Sequence, residues 1–337
     1  GVATWQSGGS GWLLTGNADT SPDNFIGTTD RDTLLFKLNG DKVAMFDNSK
    51  DNFYFGSSSN TFQSNTTGGS NLAIHSGALV GNTTGDYNIA IGSSAMMSNV
   101  SGHDNIALGE ESLVSNVSGH DNIALGHSAL TSNYASYNIA IGFNAAIINT
   151  TGFDNIAIGK NSLSTNQNGF DNIAVGVNAL LGSNGNSNNA FGVNALAAAT
   201  DIYSNNAFGA GTLSALDIGS ENSAFGESLM YLSGGDRNTA IGGGSMESLI
   251  TGNDNSALGY HANISDNINK STAIGYRAMV TQDNSLVLGS INGVNSATED
   301  TKVGIGVTAP TSKLHVNGGV RFSGISEANG YVLTSDA

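Results

Sequence analysis

The sequence predicts an all-β solenoid, wound into about fourteen coils of 16–17 residues and flanked by two small β-rich modules. Three observations carry this expectation. The twelve residues SNVSGHDNIALG occur twice, seventeen positions apart, between Ser98 and Gly126. The unit they belong to, Asn-x-Ala-apolar-Gly, recurs at a nearly fixed interval from Asn71 to Gly289. Composition suits stacking better than a globule: 46 Gly, 2 Pro and 11% charged residues, yet 39% hydrophobic residues, too many for a disordered tract.

In chain order, residues 1–69 read as a β-rich connector, with alternation in the stretch TLLFKLN at 33–39. Residues 70–290 form the repeats. Their Gly falls at 92, 109, 126, 142, 159, 176, 192, 209, 226, 242, 259, 275 and 289, with His75 in the equivalent place of the first copy. Between the copies lie turns such as VSGHDN and TTGFDN, whose Gly, Asp and Asn supply corner geometry. A second short strand is expected at Ser93–Met97 and His127–Thr131 in their coils. Helix is rejected, because every period carries β-branched residues, Asn and Gly. Residues 291–337 read as a C-terminal β connector, with Pro310 ending the regular coil. At ~4.8 Å per coil, the stack would be a rod on the order of 65 Å long.

Two rows in the repeat are candidate buried rows. Two residues before the Gly stands alanine, as at Ala90, Ala107, Ala124 and Ala140; one residue before it stands Ile91, Leu108, Leu125 or Ile141. Neighbouring strand residues point to opposite faces, so both faces are expected to be buried, one in the coil and one against something else. Other copies of the chain are the economical cover, and three about one axis are expected. Which row faces the axis is left open by the sequence. Three residues before the Gly, an apolar row (Leu72, Ile89, Ile106, Ile123, Ile139, Ile156, Ile173) turns polar (Asn189, Asn206, Ser223, Thr239, Ser256, Thr272). A candidate structural ladder runs through Asn88, Asn105, Asn122, Asn138, Asn155 and Asn172, with Asn71 before it and Asn188, Asn205, Asn222, Asn238 and Asn255 after it. Stacked amides satisfy one another coil after coil.

Charge and chemistry narrow the function. The net charge is −16, with 16 acids against 4 bases between Asn71 and Gly289, so nucleic acid and anionic membranes have no basic patch to bind. There is no cysteine for a disulfide or thiolate site. His103 and His120, one period apart, should stack in adjacent turns, but as turn residues without a carboxylate in ligand spacing. Asp104, Asp121, Asp154 and Asp171, each just before a ladder Asn, read as turn caps rather than a calcium ladder. The sequons at Asn82 and Asn99 read as surface loops. No nucleophile set, phosphate-binding loop or paired carboxylates appear, so no enzyme activity, catalytic residue, cofactor or metal is expected.

The repeated NIAIGSSAM motif resembles the head repeats of trimeric autotransporter adhesins, the YadA-like head, over roughly residues 70–290. The family repeat is shorter, and only the interval from Gly275 to Gly289 has its usual length of about fourteen residues. Similar longer repeats resemble segments of phage tail fibres and large bacterial surface fibre proteins. The flanks FIGTTDRDTLLFKLNGDKVAMFD (25–47) and DTKVGIGVTAPTSKLHVNGGVRFSG (300–324) resemble modules that bracket such rolls. The resemblance implies a left-handed parallel β-roll, a homotrimer, and an extracellular or cell-surface fibre that attaches to cells or surfaces. A phage or phage-like injection-system tail fibre is the alternative, and a glycan- or ice-binding solenoid another. Its partners would be copies of itself, and cell-surface glycans or other receptors. The start GVATWQ and the end GYVLTSDA look like halves of one linking motif, which reads as a piece of a longer chain.

Overall fold

The computed structural model describes residues 32–56, 64–227 and 234–320. Every regular element among them is a strand, and the strand stack is a parallel β-solenoid. The linking motif at the two ends lies outside the described residues. The chain divides into two compact units, Gly1–Ile202 and Tyr203–Ala337, and each is described by itself.

The first unit opens with three strands, Leu34–Leu38, Asp41–Asp47 and Asn52–Phe55, paired antiparallel in sequence order. Asn39 and Gly40 join the first two with φ of 51° and 89°, the doubly left-handed turn whose twist matches a hairpin. The third strand then lies parallel to Leu72–Ile74, with Phe53 opposite Leu72. The N-terminal module is therefore continuous with the coils and provides their first rung.

Seven further strands follow Leu72–Ile74: Ile89–Ile91, Ile106–Leu108, Ile123–Leu125, Ile139–Ile141, Ile156–Ile158, Ile173–Val175 and Asn189–Phe191. All pair parallel and in register, so Ala90, Ala107, Ala124 and Ala140 lie opposite one another along the stack. Each strand is three residues long because a corner bounds it on both sides. The residue before the ladder Asn is left-handed (Tyr87 φ 57°, Asp104 φ 55°), and the repeat Gly turns the chain at φ of about 131° to 142°.

The interior holds few side-chain types. The strand alanines are fully buried, as are Ala95 and Ala129 across from them and Met96, Leu113 and Leu130 beside those. The expected second strand is not formed at Ser93–Met97 or His127–Thr131. Both segments are turns with alternating left-handed residues, Ser94 and Met96 at φ 58° and 49°, Ser128 and Leu130 at 58° and 51°. A strand would carry the chain straight on; alternation folds it back within five residues and points the large side chain inward. These turns still stack by backbone bonds, Met96 N donating to Ser112 O at 2.9 Å and Leu113 N to Ala129 O at 3.0 Å.

The second unit repeats the plan with strands Asn206–Phe208, Ser223–Phe225, Thr239–Ile241, Ser256–Leu258, Thr272–Ile274 and Leu286–Leu288. Here a second strand does form in two coils, Asn263–Ile264 pairing parallel with Met279–Val280. After the last coil, Val303–Ile305 pairs parallel with Leu314–Val316, and Pro310 sits in the connection between them.

The repeat glycines are required by both conformation and space. At Gly126, φ is 132°, and a Cβ would sit 2.7 Å from the carbonyl oxygen of Gly142 in the next coil. Gly126→Ala is expected to lower unfolding stability by about 2–4 kcal/mol, from left-handed strain plus a backbone clash. Denaturant melts at fixed protein concentration check this against the exposed control Val117→Ala, which should shift little.

Candidate functional site: the asparagine ladders and the outer strand face

The coils from Asn71 to Asn255 each bury a complete asparagine side chain. Asn88 Oδ1 accepts from the backbone N of Asn105 and from its Nδ2, both at 3.1 Å. Asn105 Oδ1 accepts the same pair from Asn122 at 3.0 Å. The Nδ2 of Asn105 has a second bond, donated to Gly119 O at 2.8 Å. Two bonds accepted and two donated exhaust what an amide can do, so the polar group sits in the interior without a desolvation penalty left over. Asn138, Asn155 and Asn172 continue the series, Asn155 bonding Asn138 Oδ1 at 3.1 and 3.2 Å and Asn172 bonding Asn155 Oδ1 at 3.1 Å. The ladder begins earlier than Asn71, because Asn52 Oδ1 takes the N–H of Asn71 at 2.8 Å. In the second unit it runs Asn205, Asn222, Asn238 and Asn255, and closes on Ser271, whose N–H donates to Asn255 Oδ1 at 3.0 Å.

A second ladder was not anticipated from the sequence. Asn99 Nδ2 donates to Asn82 Oδ1 at 2.9 Å and to Gly102 O at 3.0 Å; Asn116 repeats this toward Asn99 and Gly119. Asn133, Asn149 and Asn166 occupy the same place in later coils. The signal was present as Asn-x-x-Gly at the repeat period. This corrects the sequon reading: Asn82 and Asn99 are buried ladder members, not surface loop residues. Asn116 Oδ1 is buried without a hydrogen-bond partner, as is Asn65 Oδ1; in the coil after Asn116, Asn133 donates to Ala135 O at 2.7 Å. That coil is one residue shorter, with Ala135 where its neighbours have Gly. From Ser183 onward the place turns small or apolar, at Ala199 and, in the second unit, Leu216 and Leu249, all three fully buried.

The strand's two faces differ. Ala90, Ala107, Ala124 and Ala140 are fully buried. Their partners Ile91, Leu108 and Leu125 are only half-buried within the chain, and Ile141 is 38% exposed. The second candidate row is thus not buried by its own chain. The physical reason is that one coil contributes one layer, and its far wall covers only the alanine face. Leu72, Ile89, Ile106, Ile123, Ile139, Ile156 and Ile173 point the same way as that row and are half-buried too. In the first unit, the outer strand face therefore presents two parallel aliphatic rows. In the second unit, Phe225, Ile241, Leu258 and Ile274 are exposed in one row, and the other row is Asn, Ser and Thr.

Titratable groups gather at the corners. His103 and His120 stack at 4.8 Å with ring planes 2° apart. Carboxylates do accompany them: Asp104 Oδ2 lies 2.9 Å from His103 Nδ1, and Asp121 Oδ2 lies 2.8 Å from His120 Nδ1. Among the described residues no cluster of three or more His, Asp or Glu side chains has metal-binding geometry, and there is no helix long and apolar enough to cross a membrane. Asp254 is held below the usual carboxylate range by its hydrogen bond to Arg237, Nε to Oδ1 at 2.7 Å. Asp266 is held low by accepting from Thr251 N at 2.8 Å and Ile250 N at 3.1 Å.

No protein-family model matches the chain, and no curated protein matches it at a significant level.

Two outcomes follow from these contacts. Asn105→Ala should cost about 2 kcal/mol, since it strands the N–H of Asn122 in the interior and takes one of two partners from Asn122 Nδ2 and from the Gly119 carbonyl, which keep Ala135 O and Asn116 Nδ2; denaturant melts read it. For Asp266, a lowered folded pKa means its stabilisation is present above the ordinary carboxylate value and is lost as pH falls through the folded one. The gap in melting temperature between wild type and Asp266→Asn should therefore narrow on acidification, measured by thermal melts from neutral to acidic pH.

Proposed function

We propose that this chain is a non-catalytic fibre segment, the shaft of a trimeric extracellular filament that holds an adhesive tip at a distance. The observation that carries the reading is the outer strand face of the first unit. Ile89 and Ile91, then Ile106 and Leu108, then Ile123 and Leu125 repeat a two-row aliphatic surface that their own chain leaves half-exposed. Each such side chain has on the order of 1 kcal/mol still to gain from burial, and a contiguous apolar surface of this kind marks an interface. Identical copies running parallel match it coil for coil, because the period that builds the face also sets its partner's. The number three comes from the likeness to trimeric adhesin heads.

Mechanical duty fits the interior. Backbone bonds and amide ladders run from coil to coil, so pulling along the stack loads many hydrogen bonds together. The acidic surface, with a net charge of −16, keeps neighbouring fibres apart in solution.

Light scattering coupled to size exclusion should give three times the chain mass of 34.2 kDa. Replacing Leu108 and Leu125 together by Lys should yield the single-chain mass, with the β-sheet circular dichroism signal retained. A wild-type mass of one chain would overturn the reading.

A further inference from the structure

The outer strand face of the first unit does not begin with the coils. Residues paired across neighbouring strands point to the same side of a sheet. Leu34 pairs with Phe46, Phe46 with Phe53 and Phe53 with Leu72, which makes one row continuous with Ile89. The other row runs through Phe36, Ala44 and Phe55 to Ile74 and Ile91. The face therefore starts aromatic and continues aliphatic. On the opposite side of the same sheet Tyr54 pairs with Ala73 and is 2% exposed, so the inner face is closed here as it is in the coils. Phe36, Phe46 and Phe55 are 39%, 43% and 57% exposed. Phe46 meets Phe53 edge-on, with centroids 4.5 Å apart at 70°, and Phe36 meets Phe46 at 6.1 Å and 62°. Such contacts hold the rings in place while leaving surface uncovered.

The coils that follow have the opposite character. From Leu72 to Val175, seven successive strands present almost the same pair of aliphatic side chains outward. A face of this kind specifies alignment weakly. Shifted by one coil, two copies still set like against like and lose only one rung of contact. A shift that recurs from copy to copy cannot close into a ring, and its overhanging ends recruit further copies. Something outside the uniform rows has to prevent this.

We propose that Phe36, Phe46 and Phe55 are the key that aligns copies of this chain, seating only against the same rings of other copies. The inference rests on the reading that copies cover the outer face. Along seven coils the separation between copies is set by Ile and Leu, and a one-coil shift drives the bulkier rings against Leu72 and Ile74 at that separation, which overpacks the contact. Reversing one copy brings its rings toward the far coils of the other, where Asn189 replaces the isoleucine of the row. Only the parallel, unshifted arrangement matches ring with ring and Asn189 with Asn189. Excluding the alternatives in this way is what a repetitive interface needs in addition to attraction.

The test uses the full chain, with light scattering for mass and energy transfer between dyes on Asp41→Cys, at the exposed hairpin turn of a chain without native cysteine. A random mixture of donor and acceptor on each assembly reports whether the N-terminal modules lie together. Wild type is expected to give one mass and strong transfer. Phe36→Leu, Phe46→Leu and Phe55→Leu combined make this end chemically like the coils. Copies should still associate, but with masses spread over several multiples of the chain and transfer lowered about twofold or more. Phe55→Leu alone, at the most exposed ring, is the milder variant and should broaden the masses in the same direction. A wild type that associates with mixed masses or weak transfer overturns this inference alone, whereas a single-chain wild-type mass overturns the trimer reading beneath it. Leucine variants with the mass and transfer of wild type also overturn it, because alignment then resides elsewhere. A triple variant that falls to a single chain with its β-sheet circular dichroism intact assigns the rings to association instead of alignment, and overturns it too.

Discussion

The structure depends on an amide that is buried and fully paired. A coil of about seventeen residues encloses too little volume for a conventional core, so its corners bring backbone N–H and C=O groups inside, where water cannot reach them. Asn105 shows the solution: its side chain takes the N–H and Nδ2 of the next asparagine and gives its own protons to the Asn88 oxygen and the Gly119 carbonyl. Remove that capacity and the strand N–H is left bare, at about 1–3 kcal/mol, while the corner carbonyl keeps only its bond from Asn116. The small residues follow from the same constraint. Alanine on the inner strand face and glycine at the turn leave room for neighbouring corners to close on the amide.

Cooperativity is built into this arrangement. In the main ladder each asparagine from Asn88 to Asn172 is donor to one neighbour and acceptor for the next, so no coil is satisfied alone. The defect at Asn116 shows how local the requirement is. Its oxygen, like that of Asn65, has no partner, and the main ladder continues past it through Asn122 and Asn138. Two ladders in parallel tolerate a fault that one could not.

Much of this was legible in the sequence, since identity at a fixed period translates directly into stacked neighbours. The parallel strands, the first asparagine ladder and the stacked histidines could all be placed from residue number alone. The second strand at Ser93–Met97 was not legible, because small and apolar residues in alternation suit either a strand or a turn of alternating handedness. Only the left-handed φ of Ser94 and Met96 separates them. The second ladder was hidden by chemistry, Asn99-Val-Ser being readable as a surface sequon, while burial is a property of the stack. Assigning the two strand faces required knowing which side the coil closes on, and periodicity is silent about that.

The two units use the same coil with the apolar residues moved. In the first, the outer face carries two aliphatic rows, and the inner corner carries asparagine, as at Asn99, Asn116 and Asn149. In the second, the outer row three before the glycine is polar, from Asn206 to Thr272, and the inner corner holds Leu216 and Leu249, fully buried. Leucine inside a coil contributes packing that the chain keeps to itself; isoleucine outside contributes only when something covers it. Coils of the first kind are thus held within by hydrogen bonds and leave their larger apolar side chains half-exposed, and coils of the second kind draw more of their cohesion from their own interior. Covering the outer face would therefore stabilise coils of the first kind more than coils of the second.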